Sequence, residues 1–304
     1  MSETMEYERV ILITGSTDGI GRETAKQLAK NPKNMVIVHG RSLARCEDTV
    51  KMILAEHQDA KVEHVVYDFN NMANIPKMVD EIKNRFPKLN TIICNAGVLL
   101  PKRTLSEDGL ELTFQVNHLA HFALVCLLLD TLKNNAPSRL IIVSSLCYNW
   151  FSIDWDDLMG ENDYEKYKQY SRTKLMNHMF TFALARRLAG TKVTCNVYEP
   201  GVVDTKLLRA GGYHGAHPIT GARTAVYLVE SEEVSNVSGE YFDRRQKKIE
   251  AELESRLENI QEKLWDVSVD MCKKIKLMEY PLLICKYYRE WLNFHSSISL
   301  FRTH

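Results

Sequence analysis

The chain has 304 residues, 45% of them hydrophobic and 26% charged, which is enough apolar material for a full core and excludes a disordered chain. Its 39 basic and 39 acidic residues cancel, so no whole-protein field favours nucleic acid or anionic lipid as a partner. The seven cysteines are scattered, odd in number and never paired as C-x-x-C, which argues against a disulfide framework or a zinc or other metal site and for a reducing, cytoplasmic setting.

Residues 1–9 hold no apolar stretch behind a basic cluster, and the apolar run 10–13 is only strand length, so neither a signal peptide nor a membrane anchor is expected. Short β-branched runs then alternate with helical periodicity: strand 9–14, helix 19–30, strand 35–38, helix 43–57, strand 62–66, helix 73–86. The alternation continues with a strand at 91–94, one long helix over 106–134, a strand at 140–144, a helix at 164–188 and a strand at 193–198. Continuous apolar strands separated by helices imply a doubly wound α/β fold, a parallel sheet with helices on both faces, because parallel neighbours need crossover connections. Residues 210–218 read as an extended mobile loop. Past residue 241 the charge density rises, and Ile249, Leu253, Leu257, Ile260 and Leu264 predict one amphipathic helix over 244–263. We therefore expect a catalytic domain at 1–245 and a helical extension at 246–304. Its last stretch, 273–304, is either a packing tail or a peripheral, membrane-surface or partner-binding helix.

The first strand runs directly into Gly15, Ser16, Thr17, Asp18, Gly19, Ile20 and Gly21, and then into a helix. Gly15 allows a sharp turn, Gly19 a close backbone approach to a pyrophosphate, and Gly21 tight helix packing on the sheet. The helix amino terminus offers free N–H groups and a positive dipole end to phosphates. The second strand ends in His39-Gly40-Arg41, where a dinucleotide fold meets the adenosine ribose. The lack of an acidic residue and the presence of Arg41 favour a 2′-phosphate, hence NADP(H) over NAD(H), whereas Asp18 is a counter-signal. Asp68 after the third strand either accepts from an adenine amino group or caps the next turn.

Asn95-Ala96-Gly97 after the fourth strand, Asn117 in the long helix, Ser145 after the fifth strand, Tyr170 and Lys174 on the following helix, and Pro200-Gly201 after the sixth complete an ordered set. With these motifs the chain resembles a short-chain dehydrogenase/reductase of Rossmann type, over residues 9–242. The long interval between Ser145 and Tyr170, with Phe114-Gln115-Val116-Asn117-His118-Leu119 and Tyr198-Glu199-Pro200-Gly201-Val202-Val203, resembles the retinol dehydrogenase-like and WW-domain-containing oxidoreductase branch. That resemblance implies interconversion of a lipophilic alcohol and its aldehyde or ketone. Tyr170 would move the proton, Ser145 (rather than Ser144) bind the substrate oxygen, Lys174 hold the nicotinamide ribose and Asn117 position a relay water.

A phenol with an ordinary pKa near 10 must be tuned to exchange protons at neutral pH, and an ammonium four residues along the same helix face favours phenolate. Pro200, Gly201, Val203 and Thr205 would line the nicotinamide. Glu199 either faces the cofactor or turns into the rim of the sheet. Trp150, Phe151 and Trp155 either wall a lipophilic substrate or pack their insertion, and Gly211, Gly212 and Gly215 would let the 206–218 loop close. The alternative in a different class is a dinucleotide-binding regulatory or scaffold protein that acts through its carboxy-terminal helices.

Overall fold

Valine- and isoleucine-rich runs form one eight-stranded sheet in a computed structural model that describes residues 7–210 and 212–275. Gly211, Cys285 and the tail beyond residue 275 lie outside the described residues. In chain order the elements are β1 (Arg9–Ile13), α1 (Gly19–Ala29), β2 (Asn34–Gly40), α2 (Leu43–Glu56), β3 (Lys61–Val66), α3 (Asn74–Arg85) and β4 (Thr91–Cys94). There follow α4 (Leu112–Phe114), a π-helical turn at Gln115–Leu119, α5 (Ala120–Asn134), β5 (Ser138–Val143), a 3-10 turn at Leu146–Asn149 and α6 (Lys166–Arg187). The remainder is β6 (Val193–Tyr198), α7 (Lys206–Ala210), α8 (Pro218–Glu230), a 3-10 turn at Glu232–Val234, β7 (Tyr241–Phe242), β8 (Lys248–Ile249), α9 (Leu253–Arg256) and α10 (Glu258–Lys274).

Strand order is β3-β2-β1-β4-β5-β6-β7-β8, and every neighbouring pair is parallel except β7 with β8. The chain winds outward from β1 to β3 and then back past β1 to β4, so strand order reverses between β1 and β4. Crevices at such a reversal, outside the carboxyl ends of the strands, are where open α/β sheets bind ligands. Each face of the sheet carries its own core. One joins α1, α2 and α8 through Ala25, Leu28, Ile53 and Leu228; the other joins α3, α5, α6 and α10 through Ile75, Phe122, Met179 and Trp265. Leu112–Asn134 is long and apolar enough to cross a bilayer, but 94% of its most apolar window is buried inside the protein, as befits a core helix.

Three sequence expectations are corrected. The helix expected from residue 106 begins at Leu112, because Ser106 to Glu111 fold into a tight turn closed by a Leu105–Glu111 bridge, with Gly109 at φ 77°. The buried Glu111 carboxylate then accepts from the Thr113 and Phe114 N–H groups and starts the helix. The single amphipathic helix expected at 244–263 is instead a hairpin and two helices. Asp243 accepts from the Arg245 and Lys247 N–H groups and reverses the chain into β8. Ile249 and Leu253 are consequently exposed, and the buried stripe of α10 is Leu264, Trp265, Val269 and Cys272. The stretch expected as an extended loop at 210–218 gives its ends to α7 and α8, and Ala216 joins it to the segment after β6: Ala216 N donates to the Val202 carbonyl at 2.9 Å and Asp204 N to the Ala216 carbonyl at 2.8 Å.

Candidate active site

The turn after β1 is shaped by contacts that leave no room for side chains. Gly15 (φ 64°) faces Ala96, whose Cα would lie 2.7 Å from a Cβ at that position, and a Cβ at Gly21 would lie 2.4 Å from Asn95 Nδ2. Ser16 Oγ donates to the Ile13 carbonyl at 2.7 Å and accepts from His39 N at 2.9 Å, tying the turn to β2. Thr17 packs its methyl into the space that Gly40 leaves open. Ile20 lies against Gly221 on α8, beside Val203. The turn therefore delivers the amino terminus of α1, with its unpaired N–H groups, to the reversal crevice.

Asp18 caps α1 by accepting from Gly19 N at 2.8 Å, and it is surrounded by cations: Lys206 at 2.9 Å, Arg45 at 3.0 Å and Arg22 at 3.8 Å. Burial alone would raise its pKa, but the bonds from Lys206 and Gly19 outweigh that and hold the carboxyl below its ordinary range. Its charge is thus met locally. Arg41 is exposed just past β2 and makes no ion pair among the described residues. Asp68 caps its turn, accepting from Asn70 N at 3.0 Å.

Tyr170 and Lys174 share one face of α6 and are both buried. Lys174 Nζ lies 5.4 Å from the Tyr170 ring centroid and donates to the Val143 carbonyl at 3.0 Å. Burial draws the Lys174 pKa down to about 8. Burial pushes the Tyr170 phenol well above its ordinary value, the neighbouring Cys147 adds to this, and Ser145 opposes it. Lys174 thus faces the Tyr170 ring as the four-residue spacing predicts, and burial is the largest influence on the phenol. Ser145 Oγ lies 3.1 Å from Cys147 Sγ, whereas Ser144 spends its hydroxyl on the Lys174 carbonyl at 3.2 Å.

Asn117 sits in the π-helical turn, wholly buried, and uses both ends of its amide on neighbouring segments. Its Oδ1 accepts from Val98 N at 2.7 Å, and its Nδ2 donates to the Val98 carbonyl at 3.0 Å and to Thr173 Oγ1 at 3.1 Å. The side chain is thus a clamp between the segment after β4 and α6. A Cβ at Gly97 would lie 3.4 Å from Asn117 Oδ1 and 3.7 Å from Lys174 Nζ, so Gly97 keeps the approach to both open.

Beyond β6, Pro200 and Val203 are buried, and Gly201 adopts φ 81°. Glu199 turns into the rim: its carboxylate accepts from Gly201 N at 2.6 Å and Arg244 N at 2.9 Å. Thr205 packs its methyl 3.0 Å from the Cβ position of Gly19 and accepts from Leu208 N at 3.2 Å, starting α7. Around Tyr170 lie Leu99, Cys147, Tyr167 and Leu207, and the mouth outside them is apolar, with Trp150 60% and Tyr213 57% exposed. Trp155 is not part of this wall; it packs on the core beneath Lys263. Gly215 lets its segment approach the Val202 main chain, where a Cβ would meet the carbonyl at 2.6 Å.

Two buried histidines belong to the site and went unassigned in the sequence. His39 Nδ1 accepts from Gly15 N at 3.1 Å and its Nε2 donates to the Tyr67 carbonyl at 3.0 Å. His121 lies 2.8 Å from Thr14 Oγ1. The only signal available was position: His39 ends a strand and His121 follows Asn117 by one helical turn. Among the described residues no group of three or more His, Cys, Asp or Glu is arranged to hold a metal ion.

Residues 9–212 match the family model described as short chain dehydrogenase. The chain is 37% identical to human retinol dehydrogenase 14 over 297 residues, covering 89% of this chain and 88% of that protein. It is 36% identical to the WW domain-containing oxidoreductase of Pongo abelii, over 77% of this chain and 61% of that protein. Among solved structures, an uncharacterised protein of Mycobacterium paratuberculosis superposes with a TM-score of 0.74 at 25% identity, over 88% of this chain and 94% of that one. The fold, the ordered motifs and these relatives agree: the chain belongs to the short-chain dehydrogenase family, in its retinol dehydrogenase-like branch, whose members are oxidoreductases that bind a nicotinamide dinucleotide.

Proposed function

We propose that the chain is an NADP(H)-dependent oxidoreductase that interconverts a lipophilic alcohol and its aldehyde or ketone, with Tyr170 as the group that exchanges a proton with the substrate oxygen. The observation that carries this reading is convergence. Tyr170, Lys174, Ser145 and the Asn117 clamp meet at the carboxyl ends of β4 and β5, beside the glycine turn after β1. The residues present fit a dinucleotide: Gly15 and Gly21 hold the turn against Ala96 and Asn95, and Gly97 leaves open the space that a side chain would fill in front of Lys174. When bound, the nicotinamide supplies hydride chemistry and, oxidised, a positive charge beside the phenol.

In carbonyl reduction Tyr170 Oη gives its proton to the substrate oxygen while Ser145 Oγ donates a hydrogen bond to the same oxygen as charge develops there. A buried phenol with a raised pKa is held in the protonated form that this step needs. The Lys174 ammonium, a few ångströms from the ring, then stabilises the phenolate left behind. The exposed apolar side chains Trp150 and Tyr213, whose rings approach Tyr167 beside the catalytic tyrosine, support a lipophilic substrate.

Preference for NADP(H) is supported by Arg41, exposed and without an ion pair among the described residues, and by Asp18, whose repulsion of a phosphate is offset by Arg22, Arg45 and Lys206. The test is nicotinamide absorbance over a panel of aldehydes, ketones, retinoids and steroids with NADPH and with NADH. Turnover with NADPH preferred, and that preference lost in Arg41→Ser, is the expected result. Preference for NADH in the unmodified chain would overturn the role given to Arg41.

A further inference from the structure

The turn after β1, the segment after β4 and the helix carrying Asn117 meet at one buried hydroxyl. Thr14 Oγ1 accepts from Asn95 N at 2.9 Å and from Ala96 N at 3.0 Å, which uses its acceptor capacity. Its own proton has two places to go. The Ile93 carbonyl at 3.4 Å is the poorer one and already accepts from Thr14 N at 3.0 Å; His121 Nε2, at 2.8 Å, is the better. The other ring nitrogen, His121 Nδ1, lies 3.3 Å from the Asn117 main-chain carbonyl. A carbonyl only accepts, so Nδ1 carries the ring proton and Nε2 is the acceptor for Thr14. This is the one arrangement that satisfies every group, and full burial keeps the ring neutral and so keeps it in force. Phe69 stands edge-on to the ring at 5.5 Å and stacks on His39, which itself holds Gly15 N.

We propose that His121 is a positioning residue whose two ring nitrogens serve two parts of the site: Nε2 fixes the Thr14 hydroxyl that holds the Asn95-Ala96 side of the dinucleotide cradle, and Nδ1–H fixes the Asn117 carbonyl. The inference rests on the functional reading above and extends it to a residue that touches neither substrate nor dinucleotide. The two roles are separable by side-chain length. An asparagine amide at position 121 reaches the place of Nδ1, and a glutamine amide reaches the place of Nε2.

The experiment uses the full chain with His121→Gln and His121→Asn and needs no turnover. Ring nitrogen shifts of His121 in the unmodified protein should report a protonated Nδ1 and a bare Nε2; the opposite tautomer overturns the proposal without any variant. In His121→Asn the Asn95 and Ala96 amides should exchange hydrogen about tenfold faster and the Kd for NADPH should rise about tenfold, the effect of losing one buried hydrogen bond. His121→Gln should restore both to near the unmodified values. Variants that behave alike, whether both impaired or both unchanged, overturn the inference alone. An unmodified chain that binds neither NADPH nor NADH overturns the functional reading and this inference with it.

Discussion

Lys174 spends its ammonium on a main-chain carbonyl and, among the described residues, has no carboxylate partner to offset burial, which is why its pKa falls to about 8 while an unfolded lysine keeps 10.5. The sign of the consequence is fixed. Below pH 8 the folded chain holds a charge it would rather lose, and between pH 8 and 10.5 the unfolded chain binds a proton that the folded one does not. Stability contributed at this residue therefore rises with pH across that window, by about 3 kcal/mol in all, and Lys174→Met should lack the rise. Urea midpoints of the two proteins measured from pH 7 to pH 10.5 check it; parallel curves would contradict it. His178 gives a complementary case: it is wholly buried, neither ring nitrogen finds a hydrogen-bond partner among the described residues, and the ring stacks on Tyr148 at 3.9 Å. His178→Phe removes two unpaired polar atoms and keeps the ring, so the melting temperature should hold or rise, and a fall of several degrees would count against the stacking account.

At the scale of elements, α10 is the part of the carboxy-terminal region that anchors to the domain. Trp265 meets the Phe122 ring edge-on at 5.0 Å, the Arg187 guanidinium lies 3.8 Å over its indole, and Glu262 binds Arg186 at 2.6 Å and also pairs with Arg187. Trp265→Ala should cost about 3–5 kcal/mol, read as a lower urea midpoint, because the core gap cannot close around rigid helices. A loss below about 1 kcal/mol would mean that α10 docks loosely. The position of this helix was poorly legible in the sequence. β7 and β8 are two residues each, too short to show alternation, so Ile249 and Leu253 fell by accident on a helical repeat. The π-helical turn around Asn117 was equally invisible, since one extra residue in a turn leaves the apolar pattern on either side intact.

At the scale of the whole molecule, what was legible is what local chemistry dictates. The glycine turn follows from backbone geometry, Tyr170 and Lys174 share a face because they are four residues apart, and the parallel sheet follows from strands that are apolar on both faces. His39 and His121 were illegible for the opposite reason: their partners Gly15 and Thr14 lie 24 and 107 positions away, so their roles exist only in the fold. These buried rings also bear on stability in acid. Burial lowers His39 to about 4 and His118, His121 and His178 to about 3, whereas an unfolded histidine keeps 6.5. The stability that comes from keeping them neutral is complete above pH 6.5 and is lost as pH falls, at about 1.4 kcal/mol per pH unit for each ring. Unfolding free energy should drop steeply between pH 6.5 and 4, and less steeply in His178→Phe; a flat profile would contradict their burial as neutral rings.

The proton exchanged with substrate is assigned to one hydroxyl, and Tyr170→Phe removes that hydroxyl while leaving the ring in place over Lys174. Turnover of the best carbonyl substrate with NADPH should fall roughly a thousandfold, with the Kd for NADPH measured by fluorescence changed less than about twofold. Turnover retained in Tyr170→Phe within tenfold of the unmodified chain would contradict the account.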